Sequence, residues 1–376
     1  MRVRVGITVA SLAIAGGCGG VQAQASDALY ARFNAVGGWE LRGFTFDSGV
    51  GTKSVWQWSV PLVVVAPLGR KVSLDLTTHY ANGRVETYAG GTETLAGFTD
   101  TQLRLIYTAS RDRLVGSVSF NLPTGQHTLS PGEFAVAGAV GSNYLSFPVS
   151  NSGIALGVTG GLAYAQRAGT WNLGLSGSVR YLGPYSPFAT DTVSYTPGVE
   201  VRVRGGADRL LGASSRLLLG LTVSTFSTDV YSGTNTLVAG SYAPGTRCIA
   251  DLTLMRVIGR FTVTLAGWDL YRLAGVSSAG ANPETKENLL NAELRLTYPV
   301  TPGVRLEPMV AFRQWNPSDY AGGRLRSGGV VVRASLTDRL SLAAAGRYDA
   351  GWIFDRASGR ADLQGYGASV FLRFEQ

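Results

Sequence analysis

Alternation with a period of two constrains this chain more than any other feature. In residues 288–315, NLLNAELRLTYPVTPGVRLEPMVAFRQW, the even positions carry Ala292, Leu294, Leu296, Tyr298, Val304, Leu306, Val310 and Phe312. The odd positions carry Asn291, Glu293, Arg295, Thr297, Arg305, Glu307 and Arg313. Successive side chains of a β-strand point to opposite faces, so this ribbon has one apolar and one polar face. A soluble sandwich turns the apolar face to a core, whereas a membrane barrel turns it to lipid and keeps the polar face for an aqueous interior. Taken alone, the stretch fits both.

The whole chain decides between them. Alternating stretches run at 38–46, 54–65, 71–80, 100–108, 113–122, 153–165, 170–181, 193–205, 214–226, 246–257, 260–270, 288–300, 304–315, 328–337, 340–350 and 362–374. Most are longer than the roughly 5–6 residues of a soluble strand and match the roughly 9–11 that a tilted strand needs to cross a bilayer. Tight connections at 66–71, 110–113, 166–169, 258–260, 301–303 and 337–339, with a looser one at 206–215, alternate with long ones at 81–99, 123–152, 182–192, 227–245, 271–287 and 316–327. Short turns at one end and long loops at the other are the layout of outer-membrane barrels. Aromatic residues on the apolar rows sort the same way. Tyr107, Tyr164, Phe261, Tyr298 and Phe374 fall at the turn end, and Tyr80, Phe120, Tyr181, Tyr195 and Tyr348 at the loop end, as two interfacial belts would. The pattern predicts an all-β fold, a transmembrane antiparallel up-and-down β-barrel of about 16 strands, or 14 if the first hairpin is irregular.

The first residues give the address. Arg2 and Arg4 precede an apolar run from Val5 to about Ala15, then small residues ending in Ala23-Gln24-Ala25. This reads as a secretory signal peptide over 1–25, with the barrel as a single domain over 26–376. The run is too short and too Gly-rich to span a membrane. Cys18 raises a lipoprotein site, against which stands Ala15 where such sites carry Leu. The mature part keeps one cysteine, Cys248, and so has no intramolecular disulfide. Its modest positive charge forms no basic run, which argues against nucleic acid as a partner.

If the apolar rows face lipid, the complementary rows line the lumen. The third strand brings Ser73, Asp75, Thr77 and His79 inward, the fourth Asp100, Gln102 and Arg104, and the fifth Ser117, Ser119 and Asn121. Later strands add Glu200, Arg202 and Arg204, then Asp251 and Thr253, then Asn291, Glu293 and Arg295, then Arg305, Glu307 and Arg313. Arg333, Arg347 and Asp349 complete the set. The arginines would draw anions into a water-filled conduit, or Arg and Glu on neighbouring strands would pair and fill the lumen. Sixteen strands leave room for water, which favours conduction.

Residues 123–153, PTGQHTLSPGEFAVAGAVGSNYLSFPVSNSG, exceed ordinary loop lengths, and their segment FAVAGAV (134–140) is too apolar for water. The loop is expected to fold into the lumen as a constriction carrying His127, Glu133, Phe134 and Tyr144. Its expected seat is the sixth strand, whose inward Ala155, Gly157, Gly161, Ala163 and Ala165 have little bulk. The other readings are an external loop on the rim or a strand extension.

The stretch GFTDTQLRLIYTASRDRLVGSVSFNLPTG (97–125) places Gly97, Asp100, Thr101, Leu103 and Tyr107 before an apolar strand and Leu122-Pro123-Thr124-Gly125. This resembles the pattern of a family of outer-membrane transporter-like barrels associated with phenol-degradation pathways, themselves similar in style to fatty-acid and aromatic-hydrocarbon channels. LGLSGSVRYLGPY (173–185) also looks like that group, and together the likeness covers roughly a third of the chain. The resemblance implies uptake of small hydrophobic or aromatic compounds. The fatty-acid channels carry an N-terminal plug, for which the dozen or so residues between Ser26 and the first strand leave no room.

Catalytic chemistry is thin. His79 and His127 are the only histidines, and His79 lies about 13–14 Å along an extended strand from Asp75. Asp100 or Arg104 on the next strand is its nearer candidate partner. His127 is followed by Thr128, Leu129 and Ser130, not by the His-x-Ser of an outer-membrane phospholipase. No Cys/His cluster for a metal and no phosphate-binding loop is present, so no cofactor and no enzyme are expected. The expected partners are outer-membrane lipid, a small-molecule solute and the barrel-assembly machinery. The last of these would read the C-terminal strand through outward Tyr366, Ala368, Val370, Leu372 and Phe374, although Glu375 and Gln376 follow the terminal aromatic. The sequence therefore points to an outer-membrane channel or transporter for passive passage of small solutes. The alternatives are a closed structural or adhesive barrel acting through its extracellular loops and, third, a hydrolase around His79.

Overall fold

The computed structural model describes residues 33–109, 113–189, 193–232, 240–277, 286–317, 321–355 and 359–376. The expected leader, with Cys18, lies outside them. The wall begins with β1 (Asn34–Phe46), β2 (Thr52–Pro67), β3 (Val72–Thr87), β4 (Thr92–Phe98), β5 (Thr101–Ala109) and β6 (Leu114–Leu122). After helix α1 (Pro131–Val140) come β7 (Gly157–Ala168), β8 (Trp171–Leu182), β9 (Ser194–Thr196), β10 (Glu200–Leu210), β11 (Ser215–Phe226), β12 (Asp229–Ser232) and β13 (Gly240–Ala243). The chain finishes with β14 (Arg247–Ile258), β15 (Phe261–Arg272), β16 (Val276–Ser277), β17 (Glu287–Thr301), β18 (Val304–Pro317), β19 (Ala321–Ser335), β20 (Leu340–Asp355) and β21 (Gly359–Glu375).

Seventeen of these segments form one antiparallel sheet in which β1 pairs both β2 and β21, so the sheet closes on itself. β4 and β5 share one stave, because β4 pairs the loop-end half of β3 and β5 the turn-end half, with the break at Thr99 and Asp100. The result is a closed 16-stranded barrel, and the regular pairing of β1 with β2 rules out the 14-stranded variant. Closure leaves the sheet without a free edge strand at the seam, so the wall pairs its backbone groups strand to strand, the condition for crossing a bilayer as sheet. A second sheet, in the order β16-β13-β12-β9, caps part of the loop end.

The outer face carries the membrane band. Val330 and Val332 on β19, and Val370, Leu372 and Phe374 on β21, are exposed on either side of β20. Tyr107, Tyr164, Phe261 and Phe374 mark the turn end, and Phe98, Phe120, Tyr181, Tyr348 and Tyr366 the loop end. From Tyr366 to Phe374 the strand advances eight residues, roughly 20 Å along the membrane normal at about 3.4 Å per residue and about 40° tilt. That height is close to the apolar band of a bacterial outer membrane, and the protein is an outer-membrane barrel.

The staves are unequal. β6, β7, β8, β10, β11, β14 and β15 run 9 to 12 residues, whereas β17 to β21 and β1 to β3 run 13 to 17. The tall side corrects two expected loops. Residues 81–99 are mostly the β3–β4 hairpin, and 316–327 are mostly the extended β18 and β19. Above the loop-end belt the alternation inverts. Phe44, Val85, Leu95, Leu325 and Leu363 are buried on the inner face, while Thr45, Arg326, Asp362 and Gln364 are exposed outside. Below the belt the inner row is polar, as at Arg42, Asp75 and Arg333, so a reading that keeps one row apolar throughout stops too early. The stretch 193–205 is also corrected: 194–196 belong to the capping sheet, and the wall strand starts at Glu200. Tyr195 is accordingly no belt residue; its hydroxyl donates to Asp229 at 2.6 Å.

Candidate functional site

The long connection between β6 and β7 occupies the loop-end mouth. Its root is held by Asp100, whose carboxylate accepts from Asn121 Nδ2 at 2.7 Å, Gly125 N at 3.1 Å and Ile154 N at 2.8 Å. Three donors on one carboxylate tie both ends of the loop to the break between β4 and β5. From there Ser130 caps α1 and Glu133 closes a capping box by accepting from the Ser130 backbone N–H at 2.8 Å. That bond, with a further one from Gln126, holds the Glu133 carboxyl below the ordinary carboxylate range.

The helix seats on β3 and β4, with fewer contacts to β2, not on the small-residue face of β7. The reason is Gly83 on β3: a Cβ there would come within 2.9 Å of Val136 Cγ1 and 3.4 Å of Val140 Cγ1. The missing side chain lets the helix approach, and Val136 and Val140 are buried there with Val85 and Leu95. Phe134 lies on the other side of the helix, half-exposed and 5.4 Å from the Phe188 ring. His127 packs edge-on to Tyr185 at 6.1 Å.

Beyond the helix, the chain reaches β18 to β20 at Tyr144 and returns past β1 to β2 at Val149. Tyr144 lies over Gly323 of β19, where a Cβ would meet its ring at 2.6 Å. Its ring stacks on Trp315 at 5.5 Å and its hydroxyl donates to the Trp352 carbonyl at 2.7 Å. Leu145 and Phe147 are buried beside it, with the Phe147 ring edge-on to Phe44 at 5.6 Å. Fully burying each such side chain contributes roughly 1.5–3 kcal/mol.

An irregular segment enclosed by protein also needs partners for its backbone, and three wall side chains provide them. Gln57 donates to Val149 O at 2.6 Å and accepts from Val149 N at 2.9 Å. Arg42 donates to Leu145 O at 2.9 Å. Arg313 donates to Tyr144 O at 2.9 Å, to Asn291 Oδ1 and to Ser146 Oγ. Of these anchors, the sequence reading named Tyr144 and Arg313. It missed Arg42, Gln57, Gly83 and Gly323, although Arg42 and Gln57 stand out as polar groups between aromatics on their strands.

Below the loop lies a belt of ion pairs. Arg104 meets Asp75 at 2.6 Å, and Arg204 meets Asp251 at 2.7 Å. Arg202 and Arg180 share Glu200 at 2.6 and 3.9 Å. Arg295 bridges Glu293 at 2.6 Å and Glu307 at 3.5 Å, and Arg333 meets Glu307 at 3.0 Å. Arg347 holds Asp349 at 2.8 Å, with Arg42 on the other carboxylate oxygen at 3.4 Å. Arg305 sits opposite Arg333 near the turn end and has no ion pair among the described residues.

Exposure within these pairs is uneven. Arg104 is 30% exposed against 8% for Asp75, Arg180 and Arg202 are 34% and 30% against 10% for Glu200, and Arg333 is 32% against 8% for Glu307. Asp251, at 31% against 21% for Arg204, is the reverse case. Arg42, Arg313 and Asp349, by contrast, are sealed under the loop. The belt thus divides into a covered sector under the loop and a wetter one along β5 to β15 and the turn-end parts of β17 to β19. Among the described residues the ring of His79, also on the inner row, has no hydrogen-bond partner; its backbone N–H donates to Thr99 Oγ1 at 3.1 Å.

No protein-family model and no curated protein matches the chain. Among solved structures it is similar to the outer-membrane channel DcaP of Acinetobacter baumannii, at 8% identity over 92% of this chain and 98% of that one, with a TM-score of 0.43. A Pseudomonas aeruginosa FadL homologue aligns at 10% identity over 91% and 90% of the two chains, with a TM-score of 0.43. A loop-deletion mutant of OmpT, an outer membrane protein of Vibrio cholerae, aligns at 12% identity over 90% and 98%, with a TM-score of 0.42.

Proposed function

We propose that this barrel is a channel for passive passage of small solutes across the outer membrane, with the 123–156 connection as its constriction and the wetter sector of the lumen as the path. The observation that carries the reading is the uneven exposure of the ion pairs. In most of them the carboxylate is buried behind its arginine, so the water-facing surface is more cationic than the residue count suggests. Inside a low-dielectric wall such a surface raises the local concentration of anions. The phenol-pathway resemblance would add aromatic solutes. An aromatic ladder at the loop end suits them: His127, Tyr185, Tyr195 and Tyr231 follow one another with ring centroids at 6.1, 5.4 and 4.6 Å.

A second reading, a closed scaffold acting through its loops, is favoured by the apolar packing of residues 136–149 against the inner wall at the mouth. Single-channel recording of the refolded mature chain in a planar bilayer, with the reversal potential in a salt gradient, separates the two. A conducting barrel gives steady steps with anion preference, and replacing Arg104 and Arg202 by Gln shifts the reversal potential towards neutral. Silence from protein shown to be folded β refutes conduction and leaves the scaffold.

A further inference from the structure

On the outer face of β19 to β21, directly above the loop-end belt, lies a basic hollow of about 470 Å³ that includes Arg324, Arg326, Arg360 and Gln364. Strand register fixes its height. Gly328, Tyr348 and Tyr366 share one row, with the two tyrosine rings 5.4 Å apart. The next outward row is Arg326, Ala350 and Gln364, and the one after it Arg324, Trp352 and Asp362. The arginines point away from the lumen, because Leu325 and Ser327, which alternate with them, are buried inside. A tyrosine pair at the interface with cationic rows one and two steps above it places this charge at headgroup level.

Its charge balance differs from the neighbouring rim. On the β2–β3 side, Glu86 is met by Arg84 at 2.6 Å and Lys53 at 3.9 Å. In the hollow, the acid is Asp362, which meets Arg360 at 3.2 Å. Among the described residues Arg324 and Arg326 have no carboxylate within ion-pair distance, and the Arg324 guanidinium rests over the Phe312 ring at 5.7 Å, its Nε shielded and without a hydrogen bond. The Arg360 guanidinium lies over Trp352 at 5.0 Å. Aromatic faces hold the guanidinium planes in place while their outer N–H groups stay open to a bidentate oxyanion.

We propose that this hollow binds a phosphoryl group of an outer-leaflet glycolipid, with Arg324 and Arg326 on the phosphate and the acyl chains lying over Tyr348, Tyr366 and the valines below. The site is independent of whether the lumen conducts. Continuity favours lipid over free anion, since the phosphate site opens onto the apolar band that acyl chains cover.

The test is native mass spectrometry of the refolded mature chain with a bisphosphorylated diglucosamine glycolipid, its dephosphorylated form and millimolar inorganic phosphate as competitor. Wild type retains the phosphorylated lipid, and inorganic phosphate does not displace it. Arg324→Gln/Arg326→Gln weakens retention by roughly ten- to thirtyfold, as expected for two arginines at a membrane surface, and removing the lipid phosphates does the same to wild type. Arg360→Gln, a milder change on an exposed side chain, gives a smaller loss and guards against a folding defect in the double variant. Equal retention of both lipids, or by wild type and double variant, overturns the proposal. Displacement by inorganic phosphate would make the hollow a free-anion site, and a change of oligomeric state in the double variant would make it a subunit contact; either result also overturns it.

Discussion

Replacing Phe147 by Ala tests whether the loop is a docked constriction or merely drapes over the rim. Phe147 is fully buried, and its ring meets Phe44 on the wall edge-on at 5.6 Å. A Phe→Ala change in such a site costs about 3–5 kcal/mol, from lost transfer free energy and the cavity left behind. The side chain packs the loop against the wall and takes no part in the strand ladder, so the cost falls on loop docking and spares closure of the barrel. At about 1.4 kcal/mol per tenfold, the undocked population rises between about a hundredfold and a few thousandfold. Amide exchange read by mass spectrometry should accelerate by that order over 144–149, where protection comes from local opening. It should stay unchanged in β10 to β15. In a planar bilayer the same variant should show larger or more frequent open levels. Unaltered protection of 144–149 in a folded variant would refute docking through Phe147.

Two further outcomes follow from the same geometry. Gly83→Val should lift α1 from β3, since even a Cβ meets Val136 Cγ1 at 2.9 Å. At the roughly 1–3 kcal/mol of an overpacked site, exchange should quicken over 131–140 while 144–149, held by Gln57, Arg42 and Arg313, stays protected; equal loosening of both segments would contradict separate anchoring. Acid should also loosen the start of α1. The Glu133 carboxyl titrates below its unfolded range because the Ser130 N–H and Gln126 donate to it. Its contribution is therefore complete above the unfolded value, near pH 4.3, and is lost as pH falls through the lower folded value. Proteolytic nicking near residues 130–135 should rise in that acid range in wild type, and Glu133→Gln, which keeps a capping-box acceptor without a titrating proton, should lose the dependence.

The fold was largely legible because period-two alternation is a local property. Each outward row from Tyr366 to Phe374 or from Val304 to Val310 declares its lipid face within ten residues or so, and the turn-end belt follows from the same rows. Arg104 opposite Asp75, or Arg333 near Glu307, could be set on the inner row from alternation alone, although their pairings needed the register. What alternation cannot carry is its own phase. Above the belt the solvents exchange sides: Phe44, Val85 and Leu325 turn inward onto a packed loop, and Arg326 and Gln364 turn outward to water. The strands therefore continued where the sequence reading ended them in loops.

The mouth was decided by tertiary structure for a related reason. The segment FAVAGAV announced that something must cover it, but its seat was chosen by an absence, the missing Cβ of Gly83, on a strand about fifty residues earlier in the chain. Tyr144 finds Gly323 and the carbonyl of Trp352, 208 residues away in sequence. Local sequence sets which face of each strand is apolar, because that depends on a strand's own neighbours. Which strands rise above the membrane, and what lies across their tops, depends on shape complementarity between distant parts of the chain, which exists only once the barrel has closed.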